Sequence, residues 1–126
     1  MKTRIEHDLL GDEILPESAW YGIQTLRSLR SNNSGSAPIQ QFPDLINALS
    51  IIKEAAAETN YTAGWLSTAQ RSAIRQACTR IRDGELQDQF IVDLVQGDAG
   101  CAINTNANEV IANLALRVMG KQKGEY

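Results

Sequence analysis

The stretch from Asn106 to Gly120, NANEVIANLALRVMG, decides the fold class. Its apolar residues recur at spacings of three and four, the period of an α-helix with one buried face. Asn106 is a residue type favoured at helix starts, Glu109 stands in capping position three residues later, and Gly120 is typical of a helix end. The sequence therefore predicts a helix that begins near Asn106. Its buried stripe comprises Val110, Ile111, Leu114, Ala115 and Val118.

Two earlier stretches show the same helical period. Pro43-Asp44 predicts the start of one helix. Ser67 and Gln70 form a capping-box pattern at the start of the next, and Gly84 predicts its end. The apolar positions on the two predicted faces are Leu45, Ala48, Leu49, Ile52, Ala55 and Ala56, then Ile74, Ala77, Cys78 and Ile81.

The N-terminal part is less regular. Leu9-Leu10 and Ile14-Leu15 flank Gly11-Asp12, which predicts a short β-hairpin. A helix is predicted from Glu17 to Leu29, because a proline and an acidic residue at its start suit the first helical turn. Small and polar residues from 31 to 41 predict a surface loop within one domain. The fold class is therefore mainly α with a short N-terminal β-hairpin.

Composition narrows the class of protein. A chain of 126 residues and 13.8 kDa suits a single domain, here residues 1–126. Twelve basic and fifteen acidic residues give a net charge of −3, which argues against a nucleic-acid surface. No apolar run approaches the roughly 20 residues that a membrane span needs. Two cysteines without a CxxC spacing argue against a zinc site. We expect a cytoplasmic protein with no metal, cofactor, nucleic-acid or membrane partner.

The segment from Gly97 to Asn106, GDAGCAINTN, is the best candidate for a binding site. Its glycines allow close approach to a ligand, and it leads into a helix N-terminus, whose N–H groups suit a carboxylate or phosphate. The same composition also fits an ordinary turn followed by asparagine caps. Cys101 has two interpretations, a nucleophile activated at a helix start or a small half-buried thiol.

Charged residues near the N-terminus also have two interpretations each. Glu6 and Asp8 fit either a carboxylate dyad or metal site, or a solvated charge cluster. Arg27 and Arg30, three apart on the predicted helix, fit either a clamp for a dicarboxylate or ordinary exposed charges. His7, the only histidine, is expected on the surface.

Four stretches carry a resemblance to a known family. They are Arg4 to Gly11 (RIEHDLLG); Pro16 with Tyr21 to Arg27 (YGIQTLR); Asp88-Gln89-Phe90 with Val92-Asp93; and Asn104 to Asn113, leading to Met119 to Tyr126 (MGKQKGEY). In these motifs the chain resembles the aspartase/fumarase superfamily over nearly its whole length. The first, second and last stretches are closer to the N-terminal domain of aspartate ammonia-lyases than to class II fumarases. The resemblance implies that domain without the central helical bundle.

The resemblance implies a lyase that removes ammonia from L-aspartate to leave fumarate. In the family a serine on a mobile loop abstracts a proton, and hydroxyl and amide donors hold the resulting aci-carboxylate. Family members are homotetramers whose active sites combine three subunits. The serine base, a catalytic lysine and a histidine-containing segment all correspond to positions beyond Tyr126. We therefore expect no catalytic residue in these 126 residues and no turnover by them alone.

The resemblance also assigns substrate-binding residues, which are Cys101, Ala102 and Asn104. The family pattern reads GGAGTSxNMNxNE, so Cys101 stands in place of the substrate-binding threonine and Ala102 in place of the adjacent serine. Asp98 replaces a glycine and Thr105 a methionine. A thiol donates hydrogen bonds more weakly than a hydroxyl does, and an added carboxylate repels a dicarboxylate.

The remaining matches in this segment are structural. Asn104, Asn106, Asn108 and Glu109 agree with the family pattern and are expected to shape the loop and cap the helix. Two alternatives to an aspartate lyase stay open. One is a non-catalytic partner or degenerate copy that binds full-length lyase subunits, and the other is a class II fumarase acting on malate and fumarate. The helices at 44–60 and 107–119 are also expected to leave an exposed apolar patch.

Overall fold

The computed structural model describes residues 1–31, 35–95 and 100–126. These residues form an antiparallel hairpin and four α-helices, with short 3₁₀ turns at Ile39–Gln41 and Gln87–Gln89. The predicted class, mainly α with an N-terminal hairpin, is confirmed. The elements are β1 (Thr3–Asp8), β2 (Gly11–Pro16), α1 (Ile23–Ser31), α2 (Pro43–Thr62), α3 (Thr68–Arg82) and α4 (Cys101–Val118).

The core lies where α4 packs against α3, with α2 and the 3₁₀ turns around them. Val110 and Leu114 of α4 are buried, as the predicted stripe requires, and they belong to the same hydrophobic cluster as Cys78 and Ile81 of α3. Each aliphatic side chain buried in this way contributes about 1.5–3 kcal/mol to stability. The interpretation of Cys78 as a core residue is confirmed.

The start of α3 follows the prediction. Ser67 Oγ accepts a hydrogen bond of 3.1 Å from the Gln70 N–H, and Gln70 Oε1 accepts one of 2.9 Å from the Ser67 N–H. Two N–H groups that lack partners within the helix are thereby satisfied. Gly84 follows the helix with φ at +100°, a conformation that favours glycine.

The buried face of α2 differs from the prediction. Ile46, Ser50 and Ala57 are buried, whereas Ile51 and Ile52 are 57% and 59% exposed. The helix carries apolar residues almost all round, so periodicity alone does not select one face. Between α2 and α4, the exposed large apolar residues are therefore on α2, whereas Val110, Ile111, Leu114 and Ala115 of α4 are all buried.

The prediction that α4 begins near Asn106 is wrong, because the helix begins at Cys101. Asn106 is fully buried and does not cap a helix. Its Oδ1 accepts a hydrogen bond of 2.9 Å from the Ile91 N–H, and its Nδ2 donates one of 3.0 Å to the Gln89 carbonyl. The amide thus holds the segment before α4 against the helix. Gly100, with φ at +87°, precedes the first turn.

The N-terminal elements also depart from their predicted bounds. Leu9-Leu10 forms the hairpin turn, and Asp8 pairs with Gly11 beside it. The predicted helix start at Glu17 is wrong, because α1 begins at Ile23. The Arg4 guanidinium donates to the carbonyls of Pro16, Ala19 and Tyr21 at 2.8–3.0 Å and so fixes this segment in an irregular path.

Contacts with another segment of the chain hold part of the predicted loop at 31–41 in place. Residues 32–34 lie outside the described residues. Ile39 is fully buried, and its N–H donates to the Val92 carbonyl at 2.9 Å. Pro38 forms an isolated bridge with Asp93. In the described part of the chain, no helix combines the length and apolarity required to cross a membrane.

Candidate functional site

Two buried glutamates hold the N-terminus of α1. Glu109 of α4 accepts hydrogen bonds from the N–H groups of Gly22 (2.7 Å), Gln24 (2.8 Å) and Thr25 (3.1 Å). Glu6 of β1 accepts one of 2.8 Å from the Ile23 N–H. Four successive N–H groups at the positive end of the helix dipole therefore bind carboxylates. Glu109 does cap a helix, but it caps α1 and not its own.

The C-terminal residues close the same cluster. Tyr126 Oη donates to Glu6 Oε2 at 3.3 Å, and the Gly124 N–H donates to Asn113 Oδ1 at 2.8 Å. Burial raises the pKa of the Tyr126 hydroxyl, and the nearby carboxylates of Glu6 and Glu109 raise it further. Arg4 binds Glu6 through Nε at 2.8 Å. Residues of the stretches 4–11, 21–27, 104–113 and 119–126, which carry the family resemblance, thus meet in one hydrogen-bonded network.

Arg27 and Arg30 bind the protein's own carboxylates. Arg27 grips Asp8 through Nε and Nη2, both at 2.9 Å, and contacts Glu13 at 2.9 Å. Arg30 contacts Glu13 at 2.7 Å. The Arg27 guanidinium lowers the pKa of Asp8. These contacts leave no open pair of guanidinium groups to clamp a dicarboxylate, and the interpretation of Arg27 as an ordinary exposed charge is also wrong.

The interpretation of Glu6 and Asp8 is corrected in the same way. Their side chains are 4% and 12% exposed, so they form neither a solvated cluster nor an open dyad. His7 is exposed as predicted, and its Nδ1 lies 2.7 Å from Asp12 Oδ1. Across 1–31, 35–95 and 100–126, no three His, Cys, Asp or Glu side chains are placed to hold a metal ion.

The residues predicted to bind substrate lie in the first turn of α4. Cys101 and Asn104 are exposed, whereas the Ala102 side chain is 2% exposed and packs in the core. Residues 97–99 of the predicted segment lie outside the described residues. The structure therefore presents the side chains of Cys101 and Asn104 at the surface, and it turns that of Ala102 inward.

Lys53 of α2 is the residue of this site that the sequence analysis missed. Its Nζ donates to Asn104 Oδ1, across 51 positions of the chain. Burial lowers the pKa of the Lys53 ammonium. In the sequence Lys53 stands in an ordinary helical run, and only the packing of α2 beside α4 brings it to Asn104. The start of α4 thus combines a helix N-terminus, an amide and a cation, a set that suits a carboxylate.

The two cysteines should differ in reactivity. Burial raises the pKa of Cys78 to about 11, and its side chain is inaccessible, whereas Cys101 is exposed. Because the thiolate is the reactive form, we expect iodoacetamide to label Cys101 alone in the folded chain and both cysteines in urea. Peptide mass spectrometry gives the result, with Cys101→Ser as the unlabelled control. Native labelling of Cys78 at a rate comparable to that of Cys101 would contradict the placement of Cys78.

Comparison with known proteins agrees with this architecture. A sequence model of a family described as "Lyase" matches residues 13–125. The chain belongs to this lyase family. The aspartate ammonia-lyase of Pseudomonas canavaninivorans is 49% identical over 98% of this chain, which spans 26% of that protein. The chain thus covers about a quarter of the length of its curated relatives.

Solved structures of lyase-family proteins share the fold. A fumarate lyase:delta crystallin from Brucella melitensis, bound to cobalt, superposes with a TM-score of 0.95 and 44% identity. The superposition covers 99% of this chain and 27% of the Brucella protein. A class II fumarase from Schistosoma mansoni superposes with a TM-score of 0.84 and 31% identity, over 98% of this chain and 26% of its own. The resemblance to the aspartase/fumarase superfamily is therefore confirmed.

Proposed function

We propose that this chain is the N-terminal part of a carbon–nitrogen lyase that converts L-aspartate to fumarate and ammonia. The observation that carries the proposal is the 49% identity, over 98% of the chain, to a protein named aspartate ammonia-lyase. Identity to the class II fumarase is lower, at 31%, which favours aspartate over malate as the substrate. Residues 1–126 form the N-terminal domain in this proposal, and the whole protein is a cytoplasmic homo-oligomer.

The start of α4 forms one wall of the dicarboxylate site. The positive end of the helix dipole attracts a carboxylate, and the Lys53 ammonium beside Asn104 adds a full charge. Asn104 contributes an amide, and Cys101 contributes a weak thiol donor. The Ala102 side chain contributes no donor and lies in the core. Substrate is therefore held mainly by charge and by amide groups on this wall.

Proton abstraction requires groups from outside these residues. The two buried glutamates, Glu6 and Glu109, are occupied by the N–H groups of α1. His7 lies exposed on the hairpin and binds Asp12. A general base must reach the proton that it abstracts, and none of these side chains belongs to the wall at Cys101 and Asn104. The domain thus binds and orients substrate, and other parts of the whole protein supply the base.

A hybrid enzyme tests this proposal. The chain replaces the matching segment of the Pseudomonas canavaninivorans protein, and fumarate formation from aspartate is followed by ultraviolet absorbance. We expect turnover by the hybrid and none by the 126 residues alone. A second hybrid carries Asp98→Gly, Cys101→Thr and Ala102→Ser, which restore the family pattern. Because a single well-placed donor is worth about 100-fold or more in kcat, this hybrid should be faster by about that factor.

The outcomes separate the alternatives. Turnover only in the second hybrid favours a degenerate copy that binds lyase subunits without contributing to catalysis. Two folded hybrids that are both inactive, beside an active parent enzyme, would contradict the proposal. Sustained turnover by the isolated chain would show that residues 1–126 already contain a base.

A further inference from the structure

A groove of about 300 Å³ lies between α2, α3 and α4, beside the middle of α4. Most of its lining is aliphatic and includes Ile111 and Ala112. Three polar side chains also line it, namely Lys53, Asn60 and Asn108. Of the described residues that form its walls, Lys53 is the one that carries a charge. An apolar pocket with a few convergent polar groups is the usual form of a small-molecule site.

The Lys53 ammonium has no counter-charge in the described part of the chain. Its hydrogen-bond partner is the neutral Asn104 Oδ1, which accepts one of its three donors. The glutamates that follow it on α2 are bound elsewhere. Glu54 binds Arg82 at 2.6 Å, and Glu58 binds Arg71 at 3.0 Å. A half-buried cation without an ion pair favours an anionic partner.

The two carboxamides are also available to a bound ligand. Within residues 1–31, 35–95 and 100–126, the side chains of Asn60 and Asn108 make no hydrogen bond to the protein. Each side chain offers two N–H donors, which a carboxylate oxygen accepts readily. Lys53 and Asn60 stand seven residues apart on α2, about 10 Å along the helix, so they lie at opposite ends of the α2 side of the groove with aliphatic residues between them.

We propose that this groove binds a short aliphatic monocarboxylate. Its carboxylate lies at Lys53 and Asn108, and its hydrocarbon chain lies against the aliphatic wall that includes Ile111 and Ala112. A dicarboxylate fits less well, because its second charge would face apolar walls without a cation. The groove shares Lys53 with the wall formed by Cys101 and Asn104, but the inference rests on the lining of the groove and not on the proposed lyase activity.

Titration of the isotope-labelled 126-residue chain, followed by NMR, tests the site. Butyrate should shift the side-chain amide of Asn108 saturably, and its charge should raise the pKa of Lys53. Butyramide, which has nearly the same shape without the charge, should not bind. Succinate should bind more weakly than butyrate does.

Variants give the matched comparisons. Lys53→Gln removes the charge but keeps an amide near Asn104, and we expect at least about tenfold weaker binding, equivalent to about 1.4 kcal/mol. Lys121→Gln removes an exposed charge from a neighbouring surface and should bind butyrate normally. Ala112→Leu narrows the groove, keeps Lys53 and should also weaken binding. Equal binding of butyrate and butyramide, unchanged binding by the Lys53 and Ala112 variants, or no saturable shift in the wild-type chain would overturn the proposal.

Discussion

Gly22→Ala should destabilise the chain by about 2–3 kcal/mol, within the range of overpacked cores. A Cβ at this position would overlap Tyr126 Oη and would lie 2.8 Å from Glu109 Cδ. The backbone of Gly22 is outside the left-handed region, so alanine itself would ordinarily stabilise the chain. The loss therefore combines steric crowding with weaker hydrogen bonds from the N–H groups of α1 to the displaced Glu109 carboxylate. Urea unfolding followed by circular dichroism gives the change in the free energy of unfolding.

A double variant separates the two contacts made by this added methyl group. Tyr126→Phe removes the hydroxyl, so Gly22→Ala should cost less in that background, while the contact with Glu109 remains. Ser18→Ala, at an exposed position before α1, serves as the control and should change stability little. A Gly22→Ala chain as stable as the wild type would contradict the close approach of α1 to α4.

Glu109→Gln should cost about 3 kcal/mol, because charge-assisted hydrogen bonds to three N–H groups are weakened together. The glutamine keeps the shape of glutamate but presents an NH₂ group toward backbone donors. It also removes the negative charge from the positive end of α1. We expect the amides of Gly22, Gln24 and Thr25 to lose hydrogen-exchange protection, whereas those in the middle of α3 keep theirs.

Glu125→Gln is the matched control for this change. Glu125 is exposed, so the same chemical substitution there should leave both the unfolding free energy and exchange in α1 unchanged. Unaltered protection of α1 in the Glu109→Gln chain would contradict the role of this carboxylate. The comparison distinguishes a local loss at α1 from a general loosening of the fold.

Local sequence signals predicted the helices but not the tertiary contacts that hold them together. The Ser67 and Gln70 cap of α3 depends on residues three apart, so the sequence indicates it directly. The bond between Glu109 and the Gly22 N–H spans 87 positions and exists only after α4 packs on α1. Asn106 resembles a cap in the sequence, yet its amide binds the backbone of a neighbouring segment. Tertiary contacts outweighed local preference at both positions.

The sequence predicted which segment of the chain contains the candidate site, but it did not predict the direction of each side chain or the contact with Lys53. Cys101 and Asn104 do lie together at the start of α4, as a helix of this pitch requires. Ala102 faces the core, because successive residues of a helix point in different directions. Lys53 was missed because it stands 51 positions away and makes its contact through helix packing. Helix packing places the positive charge of Lys53 at this site, and the apolar periodicity of the sequence does not reveal that placement.

The most direct test of the central claim is the rate of fumarate formation from aspartate by the hybrid enzyme, measured beside the isolated chain. The claim is that this lyase-family domain supplies a substrate-binding wall and that the base lies elsewhere in the whole protein. We predict turnover by the hybrid, faster turnover once the family loop is restored, and none by the 126 residues alone. Fumarate formation by the isolated chain, or two folded hybrids without activity, would contradict it.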